Sequence, residues 1–301
     1  MPDQLPGQRS QATRAAASTR TRHLLAGPRR PGQVLGVFPT AVYVGFSAVE
    51  GSELVAVETA DGLRLPRAVT VAAASSARPL RAIRIGDDAH VGEGRLDVGP
   101  LALDVVRWWS PRRPRTIPSN NTFTWYDDAR LDAVSRLLPA LPADLEDRLA
   151  SLTRALETSR SADLQDAVTA LLGLGAGLTP QGDDVLAGLL VGLAAAPRAR
   201  ALAHRLGAVV TSLATSRTTT LSAALLRDAA DGFAVPALVD LVDGLHQVEH
   251  SLRTTSQRTL ADVVVRLLAV GHTSGAALAH GAVAAARLHV AVPTRGEGVL
   301  T

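Results

Sequence analysis

The first third of the chain is patterned in short runs of β-branched, aromatic and other apolar residues, separated by Pro, Gly and Ser. These runs are 34–38, 41–46, 54–58, 68–74, 82–85 and 101–106. Closely spaced short strands with turn residues between them are typical of a small barrel or sandwich. We therefore predict a β-rich domain over residues 32–126, ending in a linker rich in Pro, Arg and Trp.

From about residue 127 onward the apolar residues recur at spacings of three and four, which predicts helices. The predicted helices are 131–138, 145–156, 164–172, 185–196, 199–214, 221–230, 235–245, 260–270 and 275–288. The fold class predicted for the whole chain is thus α+β. A β-rich, barrel- or sandwich-like N-terminal domain precedes a mainly α-helical domain over residues 127–301.

Charge is unevenly distributed along the chain. Residues 1–31 carry six arginines against one aspartate, and we expect them to form a disordered Arg-rich tail or an over-extended start of the reading frame. The whole chain has 31 basic and 28 acidic residues, so the remainder has 25 against 27. A mildly acidic body argues against a nucleic-acid-binding surface as the main function.

Composition also excludes several classes of site and location. The chain has no cysteine, which excludes disulfides, thiol catalysis and Cys-ligated metal sites. The longest apolar run, 185–196, is shorter than the ~20 residues of a membrane-spanning helix. The N-terminus lacks the apolar core of a secretory signal. We therefore predict a cytoplasmic protein without a membrane partner.

The most informative stretch is 173–184, Gly-Leu-Gly-Ala-Gly-Leu-Thr-Pro-Gln-Gly-Asp-Asp. Glycines allow positive φ and close approach to a ligand. Thr179 is a good N-cap and Pro180 suits the first helical position, so the pattern predicts a bare loop that leads into a helix with outward N–H groups. Such a helix start binds anions. The alternative is a tight helix–helix turn with an acidic first turn.

Asp183 and Asp184 complicate the anion hypothesis, because carboxylates also favour the positive end of a helix and repel a second anion. Either the two aspartates cap their own helix, or a cation mediates between them and a ligand. That cation is a divalent ion such as Mg²⁺ or a positively charged group. No cofactor is required by the sequence, and Mg²⁺ is the one metal that the pattern suggests.

Two further helix starts have a similar polar character. Residues 215–222, Thr-Ser-Arg-Thr-Thr-Thr-Leu-Ser, lead into the predicted helix 221–230, and 271–275, Gly-His-Thr-Ser-Gly, precede the last helix. We predict that the three starts converge on one pocket for a small anion, where Arg217 supplies charge and bidentate geometry. The alternative is that each is simply a capped turn.

The linker 107–115 contains Arg107, Arg112, Arg113 and Arg115 and is either an anion site or a solvated connection with packed tryptophans. Common catalytic motifs are absent. There is no Gly-Lys-Ser/Thr of a P-loop and no Gly-x-Ser-x-Gly elbow, and the glycines at 173–177 follow a predicted helix rather than a strand.

The motifs at 173–184, 218–226 and 271–275 resemble signatures of the AllH-type family, and the runs at 34–38 and 41–44 resemble its N-terminal part. The likeness extends over roughly residues 30–291. It implies a subunit of oxamate carbamoyltransferase, acting with an FdrA-like subunit and a further subunit in purine (allantoin) catabolism. The implied reaction converts oxalurate and phosphate to oxamate and carbamoyl phosphate.

The roles we assign to single residues rest on the physical argument. Gly175, Gly177 and Gly182 shape the anion loop. Asp183 and Asp184 orient the substrate amide or bind Mg²⁺, and the remaining predicted site residues come from the three helix starts. Among them His272 assists proton transfer, and the substrate-binding side chains are those of Thr179, Ser216, Arg217, Thr218, Thr273 and Ser274.

Two other functions fit the same residues. The chain is alternatively a non-catalytic scaffold or regulatory subunit that binds a small anion. It is alternatively a stand-alone enzyme that acts on a small carboxylate or amide.

Overall fold

The computed structural model of the chain describes residues 12–48, 51–116, 128–158, 160–246 and 259–291. It divides into two compact units, Met1–Pro111 and Arg112–Thr301. The first unit is a β-barrel and the second is helical, so the predicted α+β class is confirmed. The predicted boundary at residue 126 lies outside the described residues.

Eight strands form the barrel in the closed order β1-β5-β4-β3-β2-β6-β7-β8, with β8 pairing in parallel with β1. Closure leaves no free sheet edge among these strands. The strands are β1 (Thr13–Ser18), β2 (Arg30–Val37), β3 (Ala41–Ala48), β4 (Gly51–Glu58), β5 (Ala68–Val71), β6 (Asp88–Gly92), β7 (Arg95–Val98) and β8 (Leu101–Trp109).

Side chains at alternate positions along the strands point inward and fill the interior of the barrel. On β3, the side chains of Val42, Val44 and Phe46 are buried in one core, which Val55 and Val57 of β4 join. β-branched residues pack well at such positions because their side chains stand stiffly away from the pleated backbone. These residues belong to the short β-branched and aromatic runs from which a barrel or sandwich was predicted.

The prediction of a disordered tail over residues 1–31 is wrong for residues 13–31. β1 pairs antiparallel with β5 and parallel with β8, and thus closes the barrel. Ala15 and Ala17 point into the core while Arg14, the one arginine of β1, is exposed. A short helix follows, α1 (Arg22–Leu25), whose Leu24 and Leu25 are also buried in the core. Residues 1–11 lie outside the described residues.

The second unit consists of helices around α5. Its helices are α2 (Asp128–Leu137), α3 (Ala143–Thr158), α4 (Ser161–Leu171), α5 (Gln181–Ala195), α6 (Arg200–Arg217), α7 (Thr220–Ala230), α8 (Pro236–His246), α9 (Leu260–Leu268) and α10 (Ser274–Ala291). All residues of α5 from Gly182 to Leu193 are buried. In the part of the chain that the structure describes, no single helix is long and apolar enough to span a membrane. Two consecutive helical segments together are long and apolar enough for such a span, but the chain bends by 116° between them. They are Gln181–Ala195 and Pro197–Arg217.

Glycines set the close packing of α5 against α10. A Cβ at Gly188 would overlap the carbonyl oxygen of Leu278, and one at Gly281 would overlap that of Val185. The two backbones therefore lie in direct contact, which only glycine permits. This contact brings the N-terminal ends of α5 and α10 together.

Candidate functional site

The glycine-rich loop between α4 and α5 is built on positive φ angles. Gly173, Gly175 and Gly177 have φ of 75°, 115° and 93°, a region in which residues with a Cβ are strained. Residues 175–177 are exposed, and a Cβ at Gly177 would meet no atom within 4 Å. Gly182 is different, because a Cβ there would overlap the Leu171 carbonyl oxygen. Gly182 is thus needed for packing, and Gly175 and Gly177 for loop conformation.

The start of α5 differs from the predicted one. The helix begins at Gln181, Pro180 occupies the N-cap position, and no side chain caps the helix, so the prediction of Thr179 as the cap is wrong. The prediction of free amides is also wrong for three residues. The N–H of Gly182 donates to the Leu174 carbonyl at 2.9 Å, and those of Asp183 and Asp184 donate to the Pro180 carbonyl.

The donors available to an anion lie instead in the loop before the helix. Among the described residues, none accepts a hydrogen bond from the amides of residues 175–179. Gly175, Ala176 and Gly177 are also exposed. Successive unpaired amides on a glycine-rich loop form a concave surface suited to an anion.

Asp183 is buried, with 1% of its surface exposed, and both its carboxylate oxygens are hydrogen-bonded. Oδ1 accepts from the Gly173 N–H at 2.8 Å, and Oδ2 accepts from the Ser222 hydroxyl at 2.7 Å and from the Thr218 hydroxyl. Burial raises the pKa of Asp183, and these three donors oppose the rise because they stabilise the ionised form. The side chain therefore joins the glycine-rich loop to the α6–α7 junction.

Asp184 is 7% exposed, and its carboxyl group accepts fewer hydrogen bonds than that of Asp183. Burial raises its pKa to about 7, a hydrogen bond from Ser274 opposes this, and the charge of Asp183 adds to it. Oδ2 of Asp184 is buried and has no hydrogen-bond partner among the described residues. A carboxyl group with a pKa near neutrality can gain or lose a proton under cellular conditions.

The three predicted helix starts do converge. The Thr179 hydroxyl lies 3.1 Å from that of Ser274 at the start of α10. The Thr219 hydroxyl donates to the Leu178 carbonyl at 2.6 Å and accepts from the Ser222 N–H at 3.0 Å, which caps α7. Thr179 and Thr219 thus connect the loop before α5 to the starts of α10 and α7.

Ser216 and Arg217 lie in the last turn of α6 rather than in the predicted loop. The helix continues through both, and the Ser216 hydroxyl donates to the Leu213 carbonyl at 3.1 Å within it. The Arg217 backbone reaches the site, since a Cβ at Gly173 would overlap the Arg217 carbonyl oxygen. The Arg217 side chain is exposed and makes no ion pair with any described residue.

His272 and Thr273 precede α10 and are exposed. No hydrogen bond joins either side chain to another residue in the described ranges, whereas the neighbouring Ser274 contacts both Thr179 and Asp184. Of the predicted residues in this segment, the structure therefore brings Ser274 into the network and leaves His272 and Thr273 at the surface.

The arrangement does not fit the predicted Mg²⁺ site. In the described part of the chain no group of three or more His, Asp or Glu side chains could hold a metal ion. Asp183 presents its two oxygens to three N–H and O–H donors, which a cation would have to displace. Mg²⁺ prefers oxygen ligands in octahedral geometry. We therefore derive no step through a metal.

Three of the four linker arginines, Arg112, Arg113 and Arg115, have contacts within the helical unit, whereas Arg107 lies on β8. Arg112 forms ion pairs with Asp240 and Asp243, and the Arg113 guanidinium lies 4.2 Å from the centre of the Phe233 ring. These contacts favour the structural alternative for the linker over an anion site.

Sequence reasoning did not select Gly173, Thr219 or Ser222 as site residues. The signal for the last two was present, because Thr219 and Ser222 are three residues apart at a helix start, the spacing of an N-cap hydroxyl and the amide it accepts from. That Ser222 turns its hydroxyl towards Asp183 depends on the packing of α7 against α5, which no local pattern reports.

Comparison with known proteins finds one family similar to the part of the chain that holds this site. Residues 171–286 match the family model described as oxamate carbamoyltransferase subunit AllH. No curated protein and no solved structure matches the chain. The matched region includes all of α5, α6, α7 and the motif before α10, and hence the three converging segments. This region of the chain is similar to the AllH-type family that its motifs resemble, and the match covers residues 171–286 of the predicted range 30–291.

Proposed function

We propose that the chain is a subunit of an oxamate carbamoyltransferase-like complex and that its converging helix starts bind the small anionic substrate. One observation supports the proposal. The family match, residues 171–286, covers the three segments that meet at Asp183 and Ser274. The proposed complex contains an FdrA-like subunit and a further subunit, and its place is the cytoplasmic degradation of allantoin.

The loop amides and Arg217 are the anion-binding groups of the proposal. Residues 175–179 offer N–H donors with no partner among the described residues, and Arg217, whose backbone carbonyl lies against Gly173, is exposed. Phosphate, oxalurate and carbamoyl phosphate each present oxygens with negative charge. Charge-assisted hydrogen bonds to such oxygens are about twice as strong as neutral ones, and an Arg can make two in parallel.

The chemistry requires a nucleophilic oxygen, stabilisation of charge and a proton. An oxygen of hydrogenphosphate attacks the ureido carbonyl carbon of oxalurate and forms the new C–O bond. The bond from that carbon to the oxamate nitrogen breaks, and this nitrogen takes up the proton that hydrogenphosphate gives up. The charge is conserved, because oxamate and carbamoyl phosphate carry it between them. Fixed amides at the carbonyl oxygen would stabilise the intermediate.

Asp184 is the residue we assign to proton transfer in this reaction. Its pKa of about 7 lets it accept the phosphate proton and return it to the leaving nitrogen. Its Oδ2 has no hydrogen-bond partner among the described residues but is buried, so the proposed exchange requires that ligand binding expose it. His272 stands at the surface beside the same helix start and remains the second proposed proton carrier.

A scaffold is the second candidate, and Asp183 favours it. Three donors from three points in the chain converge on its carboxylate, so its hydrogen bonds serve the structure already. In this alternative, the residues around Asp183 maintain the shape of a surface that binds the partner subunits. The catalytic residues then belong to those subunits.

Calorimetry of the purified chain tests the anion site. Phosphate, carbamoyl phosphate, oxamate and oxalurate are titrated with and without Mg²⁺ against the chain and against Arg217→Ala. Arg200→Ala is the matched control, since Arg200 is exposed at the opposite end of α6, roughly 25 Å away. We expect binding that Arg217→Ala weakens ~10-fold and Arg200→Ala leaves unchanged. Equal binding to both variants would remove Arg217 from the site.

Reconstitution with the partner subunits separates catalyst from scaffold. In the catalytic version, Asp184→Asn abolishes carbamoyl phosphate formation while the complex still co-purifies. In the scaffold version, Asp184→Asn leaves turnover intact, and Asp183→Ala prevents assembly. A chain that turns over oxalurate without any partner would contradict both versions and favour a stand-alone enzyme.

A further inference from the structure

A groove on the barrel unit has no role in the site described above. It lies between the β2–β3 turn and the long connection from β5 to β6, and its volume is about 840 Å³. Leu80 and Ile83 of the connection are buried in the barrel core. The same two residues also line the groove, so the connection is anchored in the core at the floor of the groove.

Three arginines from this connection line the groove, namely Arg78, Arg81 and Arg84. The described residues that line it include no Asp or Glu. The Arg84 guanidinium donates to the carbonyls of Arg81 and Ile83, at 2.6 and 3.0 Å. Arg78 and Arg81 are exposed and are paired with no carboxylate among the described residues. Arg78 and Arg81 thus give the groove a positive charge that no described carboxylate pairs with, while Asp61 and Asp87 bind Ser75 and the Arg84 N–H at its edges.

Large apolar side chains are exposed beside this charge. Ile85 is 70% exposed and Phe38 is 45% exposed, although the barrel core could have accepted either residue type. Exposed apolar groups rimmed by charged ones mark interaction surfaces on soluble proteins. Arginine and aromatic residues are also enriched at protein–protein interfaces.

The connection is held in place before any partner binds. Asp61 accepts from the N–H and the hydroxyl of Ser75, at 2.8 and 2.5 Å, and Asp87 accepts from the Arg84 N–H at 2.8 Å. These hydrogen bonds hold Ser75, which precedes the three arginines in the chain, and the backbone of Arg84, the last of the three. A preorganised surface loses little conformational entropy on binding.

We propose that this groove docks an acidic segment with a large apolar side chain, supplied by a partner subunit of the complex. The carboxylates of the segment pair with Arg78 and Arg81, and its apolar side chain packs against Ile85 and Phe38. The inference goes beyond the proposed function and takes one premise from it, that the chain acts as a subunit. A nucleic acid fits less well, because Phe38 is the groove's one aromatic residue and already packs edge-on against Tyr43 at 5.6 Å.

A synthetic peptide measures the groove directly. The probe is a short fluorescent peptide in which glutamates flank a Leu-Phe pair, titrated against the full chain by anisotropy. We expect saturable binding that the double variant Arg78→Glu/Arg81→Glu weakens at least ~10-fold and Ile85→Ser weakens ~5-fold. Arg107→Glu and Val106→Ser are matched controls, since both residues are exposed on β8 outside the groove. Neither control should change the affinity.

Four results would overturn the proposal. They are no saturable binding, equal binding of a peptide with Ser-Ser in place of Leu-Phe, equal loss in the β8 controls, and tighter groove-dependent binding of a single-stranded DNA. In the reconstituted complex, Arg78→Glu/Arg81→Glu should reduce co-purification while small-anion binding to the isolated chain is unchanged. A result against peptide binding in the groove therefore does not contradict the proposed anion site. A result against the anion site likewise does not contradict peptide binding in the groove.

Discussion

The hydroxyl groups of Thr179 and Ser274 lie 3.1 Å apart although the residues are 95 positions apart in the chain. The contact exists because the glycines of α5 and α10 let the two helices pack backbone to backbone, which aligns their N-terminal ends. Ser274 also hydrogen-bonds Asp184, so one hydroxyl links the loop threonine to the buried carboxyl group.

Removing this hydroxyl should raise the pKa of Asp184 further. In Ser274→Ala the carboxylate loses its donor, and we expect a loss of about 1 kcal/mol in the free energy of unfolding near pH 8. Urea unfolding measures it. Ser212→Ala is the control, because Ser212 is exposed on α6 and bonds its own helix. An equal loss in both variants would mean that the Ser274 contact with Asp184 is energetically neutral.

Asp183 should be among the most sensitive positions of the helical unit. In Asp183→Ala the Gly173 amide and the hydroxyls of Thr218 and Ser222 lose their acceptor, and we expect a loss of roughly 3 kcal/mol or more. Asp183→Asn should cost less, since the amide oxygen keeps one bond and the hydroxyls can rotate to accept. Denaturant unfolding compares them. Equal stability of the Ala variant and the parent would show that the network contributes nothing.

Two glycines of the loop should differ in the cost of an added methyl group. At Gly177, where φ is 93° and space is open, Ala is expected to cost about 1–2 kcal/mol. At Gly182 the Cβ would overlap the Leu171 carbonyl oxygen, so α4 and α5 must separate. We expect Gly182→Ala to lower the melting temperature more than Gly177→Ala. The reverse order in thermal unfolding would contradict the packing described for α4 and α5.

Glu58 makes the barrel less stable as the pH rises from 4.5 towards 7. Burial raises the pKa of this carboxyl from 4.5 to about 7, while the N–H groups of Arg64 and Leu65 oppose the shift. The fold therefore favours the protonated form. Its contribution is fully present below pH 4.5 and is lost as pH rises towards 7, at most on the order of 3 kcal/mol.

The measurement is the difference in unfolding free energy between the parent and Glu58→Gln at pH 5 and at pH 8. Other titrating groups cancel in this difference. We expect the parent to lose stability relative to the variant between the two pH values. A difference that stays constant with pH, or that changes in the opposite direction, would show that Glu58 is ionised in the fold at pH 5.

The class of fold and the positions of the three converging segments followed from local patterns. Short β-branched and aromatic runs in the first third indicated strands, and apolar spacings of three and four afterwards indicated helices. The motifs at 173–184, 218–226 and 271–275 lie within residues 171–286, which match the AllH family model. The position of β1 did not follow, because a short run of small and polar residues inside an Arg-rich segment resembles a solvated tail until its partners β5 and β8 are known.

The sequence by itself determined that the chain is α+β, that polar helix starts form its candidate site, and that positive-φ glycines shape the loop. Tertiary structure alone decided how these groups are used. It satisfied Asp183 with donors from the α4–α5 loop, the α6–α7 junction and α7, left an oxygen of Asp184 without a partner, and kept His272 at the surface. The physical reason is that hydrogen bonding and burial depend on distant segments, whereas helix and strand periodicity is a local property of the chain.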